Sequence, residues 1–220
     1  FDFVKKNHDN IEGDIVECGV FQGKSIISMG LLLKELNSKK TVYGFDSFSG
    51  FPVVHYNDDL SKFDDLFRNN NITQQHYDDI QVNKKIRSLT AENLNAQNIS
   101  NSGDFSNTSK SQIEKKCQYL GLDNVKLIPG SFSDSMLKNQ VPKKIFACLI
   151  DCDLYESYQI SLPFVWKRLV KNGYMFLDEY YSLKFPGARI ATDEFFKNLE
   201  QKPMRHKDDS SGFERWYVTK

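Results

Sequence analysis

Four carboxylates fall in two short blocks, Asp151-Cys152-Asp153 and Asp178-Glu179. Each block directly follows an apolar run of strand length, Phe146–Ile150 in the first case and Tyr174–Leu177 in the second. If those runs lie side by side, Asp151 comes within reach of Asp178 and Glu179. Like charges held close raise one another's pKa or require a cation. Three oxygen donors with positions left for water or substrate suit Mg²⁺, which dehydrates reluctantly. Spacing alone weighs this evenly against solvated loop acids, or acids paired with Arg189, Arg205 or Arg215.

A second set of residues could hold a nucleoside. Glu17-Cys18-Gly19-Val20-Phe21-Gln22-Gly23-Lys24-Ser25 joins a strand to a helix through two glycines, which allow a tight turn and close backbone approach of a ligand. The stretch departs from G-x-G-x-x-G, and glycines at such turns are as often structural. Asp46 ends the next strand, where a carboxylate can accept both hydroxyls of an adenosine ribose. Gly130-Ser131-Phe132-Ser133-Asp134 follows the third strand, where a small polar residue and an aromatic can flank an adenine. Each is an ordinary turn when taken alone. In order at successive strand ends, the three describe an adenosine pocket.

Such residues need a scaffold that lines strand ends up along one edge. Strand patterns at Asp14–Gly19, Thr41–Asp46, Val125–Ile128, Phe146–Ile150 and Tyr174–Leu177 alternate with helical spacing at Ser25–Leu36, Ser111–Leu120, Ser157–Leu169 and Thr192–Leu199. Lys171-Asn172-Gly173 is a helix stop, and a last strand is expected over Phe213–Val218. Strands apolar on both faces, alternating with helices, imply an α/β fold with a doubly wound, mostly parallel sheet. Ligands bind beyond the carboxyl ends of such strands. The 220 residues suit a single domain. Val53 to about Lys110 differs in character, being rich in Asn, Asp, Ser and Gln with few apolar groups beyond Phe63, Leu66 and Phe67. It reads as a solvated insertion, disordered in part, or as a mobile lid over the site, and the two are compatible.

Composition narrows the partners. The 29 Lys+Arg against 29 Asp+Glu remove the basic excess of a nucleic-acid binder. No apolar run approaches the ~20 residues of a membrane span. The opening Phe1-Asp2-Phe3-Val4-Lys5-Lys6 lacks a secretory signal, and its start on Phe1 rather than Met leaves room for a longer natural N-terminus. Cys18, Cys117, Cys148 and Cys152 are scattered and read as reduced, mostly buried thiols of a cytoplasmic protein.

Four motifs together carry a family resemblance. Glu17-x-Gly19-Val20-x-x-Gly23, Phe45-Asp46-Ser47-Phe48-Ser49-Gly50-Phe51-Pro52, Asp151-x-Asp153-Leu154-Tyr155-Glu156-Ser157 and Gly173-Tyr174-x-x-x-Asp178-Glu179-Tyr180 resemble the macrocin O-methyltransferase family. That family includes enzymes that methylate sugar hydroxyls of macrolide and aminocoumarin antibiotics. The likeness runs from about Asp14 to Phe196, excluding much of the polar insertion.

The resemblance implies a Rossmann-like class I methyltransferase fold and Mg²⁺-assisted O-methylation from S-adenosylmethionine. It puts Glu17 and Gly19 at the methionine end of the cofactor, with Gly23 and Ser25 in the same turn, and gives Asp46 and Ser47 the ribose end. Ser131 and Phe132 then lie by the adenine. Asp151, Asp178 and Glu179 become the metal ligands, with Asp151 also beside the cofactor, and Asp153 the general base. It further implies a hydroxylated small-molecule acceptor and a homo-oligomer. Where the family commonly has two aspartates, this chain has Asp178-Glu179. The lysine base of related catechol enzymes corresponds to Leu154 here, so that role does not transfer.

Two rivals stand beside this reading. A nucleotide- or NAD-using α/β enzyme is disfavoured because the first turn lacks the third glycine of the pyrophosphate pattern. A catalytically silent cofactor-binding member is disfavoured by the intact acid set. Tyr155, Tyr180 and Tyr181 could line a cleft or serve packing equally well, Trp166 reads as core, and His206 as a solvated surface group.

Overall fold

The computed structural model, which describes residues 1–207 and 213–220, resolves the alternating pattern into a sheet with helices on both faces. A short helix α1 (Asp2–Asn7) precedes strand β1 (Asp14–Cys18), helix α2 (Lys24–Glu35) and strand β2 (Val42–Asp46). The polar region supplies α3 (Lys62–Arg68) and α4 (Gln74–Arg87). There follow α5 (Lys110–Tyr119), β3 (Val125–Pro129), α6 (Phe132–Ser135), β4 (Ile145–Ile150), α7 (Tyr155–Arg168) and β5 (Leu169–Leu177). The chain closes with α8 (Pro186–Phe196), β6 (Met204–Arg205) and β7 (Trp216–Thr219).

Among the described residues seven strands pair in the order β3-β2-β1-β4-β5-β7-β6. The first five are parallel, while β7 runs antiparallel to β5 and β6 antiparallel to β7. β1 and β4 are buried almost throughout because both their faces are covered, which is why they read as continuous apolar runs. On one side Val16, Ile150, Leu162, Val165 and Phe196 pack the sheet against α7 and α8. On the other, Ile15, Ile26, Leu33, Ile113 and Phe146 pack it against α2 and α5. Chain order reverses between β1 and β4, and a crevice opens there at the carboxyl edge.

Several sequence expectations shift. The last long helix begins at Pro186, not Thr192, because proline lacks the N–H that a first helical residue leaves unused. The helix stop is obeyed at Arg168, yet the chain re-enters the sheet at Leu169. Pairing jumps from Ile145↔Leu169 to Ala147↔Tyr174, and Asn172 takes φ 62° in the excursion. The final strand spans Trp216–Thr219; the intervening residues 208–212 lie outside the described set.

The polar insertion has an apolar interior of its own beneath a largely solvated surface. Leu60, Phe63, Leu66, Ile72, Ile80, Ala96 and Ile99 make an apolar cluster of their own, completed by Leu154 and Phe185 from outside the segment. These residues are spread over some forty positions, so no local window shows them as a core. Polar residues of the segment serve as caps and turns: Thr73 Oγ1 accepts from His76 N at 3.2 Å, and Asn95 N donates to Asn98 Oδ1 at 2.8 Å. Helix α4 also grips the turn after β5. His76 Nε2 lies 2.8 Å from Ser182 O, its ring stacks on Tyr181 at 3.8 Å, and Asn83 Nδ2 donates to Leu183 O at 3.0 Å. No helix among the described residues is long and apolar enough to cross a membrane.

Candidate active site

Parallel register sets the strand ends side by side. Cys18 pairs with Phe45 on one flank and Ile150 on the other, and Ile150 pairs with Leu177. Gly19, Asp46, Asp151 and Asp178 therefore all leave the sheet at the same edge. Gly19 has φ 91°, and a Cβ there would sit 1.7 Å from Asp151 O. Its N–H donates to Phe45 O at 2.9 Å, while Asp151 N donates to Cys18 O at 2.9 Å. The glycine is needed for this backbone-to-backbone contact. Gly23 does a different job: it precedes α2 with φ 80° and faces Ile113, where a Cβ would come within 2.8 Å of the side chain.

A cavity of about 570 Å³ opens above this edge. Of the residues singled out in the sequence, Gly19, Ser25, Asp46 and Ser47 line it from the first two strand ends. Ser131 and Phe132 line it from the third, and Asp151 and Asp153 from the fourth. Glu17, Gly23, Asp178 and Glu179 are not on its wall. Sequence reasoning missed Phe21, Phe51 and Phe105, which also face the cavity and meet ring to ring, Phe105 being 5.0 Å from each of the other two. Phe21 and Phe105 both take positive φ, a placement that no residue type in the sequence announces. Glu156 and Ser157 line it as well. Tyr155, Tyr180 and Tyr181 are buried off the wall, Trp166 packs on Phe195 and Phe196, and His206 Nε2 meets the Tyr174 hydroxyl at 2.7 Å.

Asp46 organises the loops around it. Its Oδ2 accepts from Val20 N at 2.7 Å and Phe21 N at 2.9 Å, and its Oδ1 accepts from Phe48 N at 2.6 Å. A carboxylate offers about four acceptor positions. Backbone amides use three, leaving room for one further donor. Ser131 precedes α6, with its hydroxyl 2.7 Å from Asp134 Oδ2. Glu17 lies beneath the cavity, 3% exposed, and accepts the Ser25 hydroxyl at 2.5 Å. Burial pushes its pKa to about 8; the Ser25 bond opposes this and Asp46 adds to it.

The acids form one cluster. Carboxylate oxygens of Asp151, Asp153 and Glu179 lie within 4.8 Å of one another. Asp178, expected as the third metal ligand, is on the exposed side outside this converging trio, and Asp153, expected as the base, is inside it. Burial is the first cause of a raised pKa at Asp151, Asp153 and Glu179, and repulsion from Asp178 is the next. Asp153 is brought to about 7. Lys184 opposes the rise at Asp151, Asp153 and Asp178. Tyr158 supports the group from below, its hydroxyl 3.1 Å from Glu179 Oε2 and 3.0 Å from Ile150 O. Clustered carboxyls of this kind must hold protons or share a positive charge. Oxygen-only donors of this number and sign fit a hard divalent cation.

Asp153 has an unusual backbone. Its φ is 61°, and Leu154 N donates across it to Cys152 O at 2.6 Å, which makes a γ-turn with positive φ at its centre. Such turns are rare and strained.

The sheet order, the crevice at the β1/β4 reversal and the residues around it define a class I methyltransferase fold. The O-methyltransferase NovP superposes with a TM-score of 0.69 at 20% identity, over 100% of this chain and 75% of that one. The calicheamicin methyltransferase CalS11 gives 0.66 at 17% identity, over 99% of this chain and 76% of its own. Within that class the chain belongs to the macrocin O-methyltransferase (TylF) family, whose sequence pattern matches residues 3–93 and 87–215. Mycinamicin III 3''-O-methyltransferase of Micromonospora griseorubida is 26% identical over 191 residues, 85% of this chain and 61% of that protein. Demethyldecarbamoylnovobiocin O-methyltransferase of Streptomyces niveus is 27% identical over 192 residues, 85% and 59% respectively. The chain thus spans about three fifths of the length of these curated relatives.

Proposed function

We propose that the protein is an S-adenosylmethionine-dependent, Mg²⁺-assisted O-methyltransferase acting on a hydroxyl of a sugar-containing small molecule. The observation that carries this reading is that one cavity is walled by both Asp46 and the Asp151–Asp153 turn, so a nucleoside and an acceptor oxygen would share it. Family membership supports the reaction type, and a further relative, an O-methyltransferase named for a rhamnosyl-tetracenomycin C and 26% identical over 175 residues, supports a sugar-bearing acceptor. The cavity volume is in the range of ligand sites.

When bound, the sulfonium donor supplies an electrophilic methyl group, and the cation lowers the pKa of the acceptor hydroxyl. Asp46 would accept one ribose hydroxyl at its remaining Oδ1 position, while Ser47 and Ser131 offer hydroxyls and Phe132 an aromatic face. Asp151 and Glu179, whose carboxylate oxygens converge, would hold the cation together with Asp178, which is near enough to repel both. Asp153, lining the cavity beside the acceptor's position, would take the hydroxyl proton on a carboxylate oxygen. Phe21, Phe51 and Phe105 would exclude water from the aligned reactants, and alignment supplies up to about 7–11 kcal/mol in favourable systems.

The test is calorimetry with S-adenosylhomocysteine, followed by methyl transfer to glycosylated acceptors with EDTA and then with Mg²⁺ restored. Binding, loss of turnover in EDTA and recovery with Mg²⁺ are expected. Undiminished turnover in EDTA would refute the role of the cation, and thermal stabilisation by NAD without any by S-adenosylhomocysteine would refute the whole reading.

A further inference from the structure

Asp58 belongs to the insertion, far from the acids in sequence, and is 1% exposed. Its Oδ1 accepts from Tyr155 N at 2.8 Å, and its Oδ2 accepts from its own neighbour His55 N at 3.2 Å. Tyr155 is the first residue of α7, so a carboxylate from another part of the chain stands where a helix start has free N–H groups and favours negative charge. No side chain of Leu154, which precedes α7, caps it. The fit around the carboxyl is tight: a Cβ on Gly187, in the first turn of α8, would come within 2.0 Å of Oδ1. Leu154 itself is 1% exposed and sits in the insertion's apolar cluster. The two residues that follow Asp153 are therefore both held by the insertion, one by its core and one by Asp58. The strained γ-turn at Asp153 has to be held in place by something outside itself.

We propose that Asp58 is a positioning residue for the Asp151–Leu154 turn: by anchoring Tyr155 N it keeps the strained Asp153 backbone, and with it the acid cluster, in register with the cavity. This rests on the O-methyltransferase reading of the site. The insertion in this view sets the geometry of the acids from behind, in addition to walling the cavity with Phe105.

Asp58→Ala removes both acceptors, and Asp58→Asn keeps one oxygen for Tyr155 N. The two are compared with the unaltered protein by hydrogen exchange of the peptide covering residues 150–158, by Mn²⁺ titration and by S-adenosylhomocysteine calorimetry. In Asp58→Ala, exchange in that peptide should accelerate, and Mn²⁺ affinity should fall about tenfold to hundredfold, as for other groups that support metal ligands. S-adenosylhomocysteine affinity should fall less than Mn²⁺ affinity, because Asp46, Ser47, Ser131 and Phe132 wall its nucleoside end away from the turn, and Asp58→Asn should be intermediate on each scale. Unchanged exchange and unchanged Mn²⁺ affinity in a folded Asp58→Ala protein overturn the proposal. If Asp58→Ala does not fold, the same comparison on Asp58→Asn decides. If the unaltered protein binds no Mn²⁺, the cation reading fails by itself, and the exchange measurement alone judges Asp58.

Discussion

Glu17 and Asp46 are both acids at adjacent strand ends, yet their surroundings give them opposite duties. Asp46 faces three backbone amides and the cavity, so it is a fixed acceptor. Glu17 is sealed under the floor with the Ser25 hydroxyl, and a buried carboxyl with one partner keeps its proton. This has a consequence for stability. Between the ordinary value of 4.5 and about 8 the native state holds a proton that the unfolded chain has released. Where the native state binds more protons, stability falls as pH rises. Glu17→Gln cannot ionise and should lose that slope. In EDTA-containing buffer the melting temperature of the unaltered protein should therefore drop more between pH 5 and 8 than that of Glu17→Gln; parallel curves would show that Glu17 is ionised in the fold.

At the scale of elements, the insertion is a packing unit built from α3, α4 and the turns around them. Phe63 is among its most buried side chains, at 1% exposed. Phe63→Ala should cost about 3–5 kcal/mol in urea unfolding, the range for a buried phenylalanine. A loss below about 1 kcal/mol would mean the cluster is not packed in solution. This element was also the least legible in the sequence. The β1, β2 and β4 strands announce themselves as compact apolar runs, and the acids and Asp46 follow at their ends, so the edge of the sheet and its chemistry could be read directly. Phe63, Ile80 and Ile99 are separated by polar stretches and find each other only in three dimensions, with Leu154 borrowed from the far side of the chain. Phe105 escaped notice for a related reason: its wall position depends on a positive φ and on Phe51 N donating to Asp104 O, neither of which residue type encodes. Gly23, grouped with the ligand turn because of its spacing, answers instead to Ile113.

At the scale of the molecule, the insertion and the sheet should unfold together. Both tryptophans lie outside residues 53–110: Trp166 packs on Phe196 at 5.3 Å, and Trp216 lies 4.8 Å from Tyr180. Their fluorescence thus reports the sheet body, while far-UV circular dichroism also reports α3 and α4. The two signals should trace one transition, and Phe63→Ala should move both midpoints equally. A fluorescence midpoint that stays put would mean the insertion melts separately. The shared interior has a practical side for anyone wishing to retarget the pocket by exchanging residues 53–110 with those of another family member. Leu154 and Phe185 plug the transplanted segment from the host, and Gly187 makes space for its Asp58. A graft cut at the obvious sequence borders would inherit a foreign stopper, so those three host positions have to travel with it.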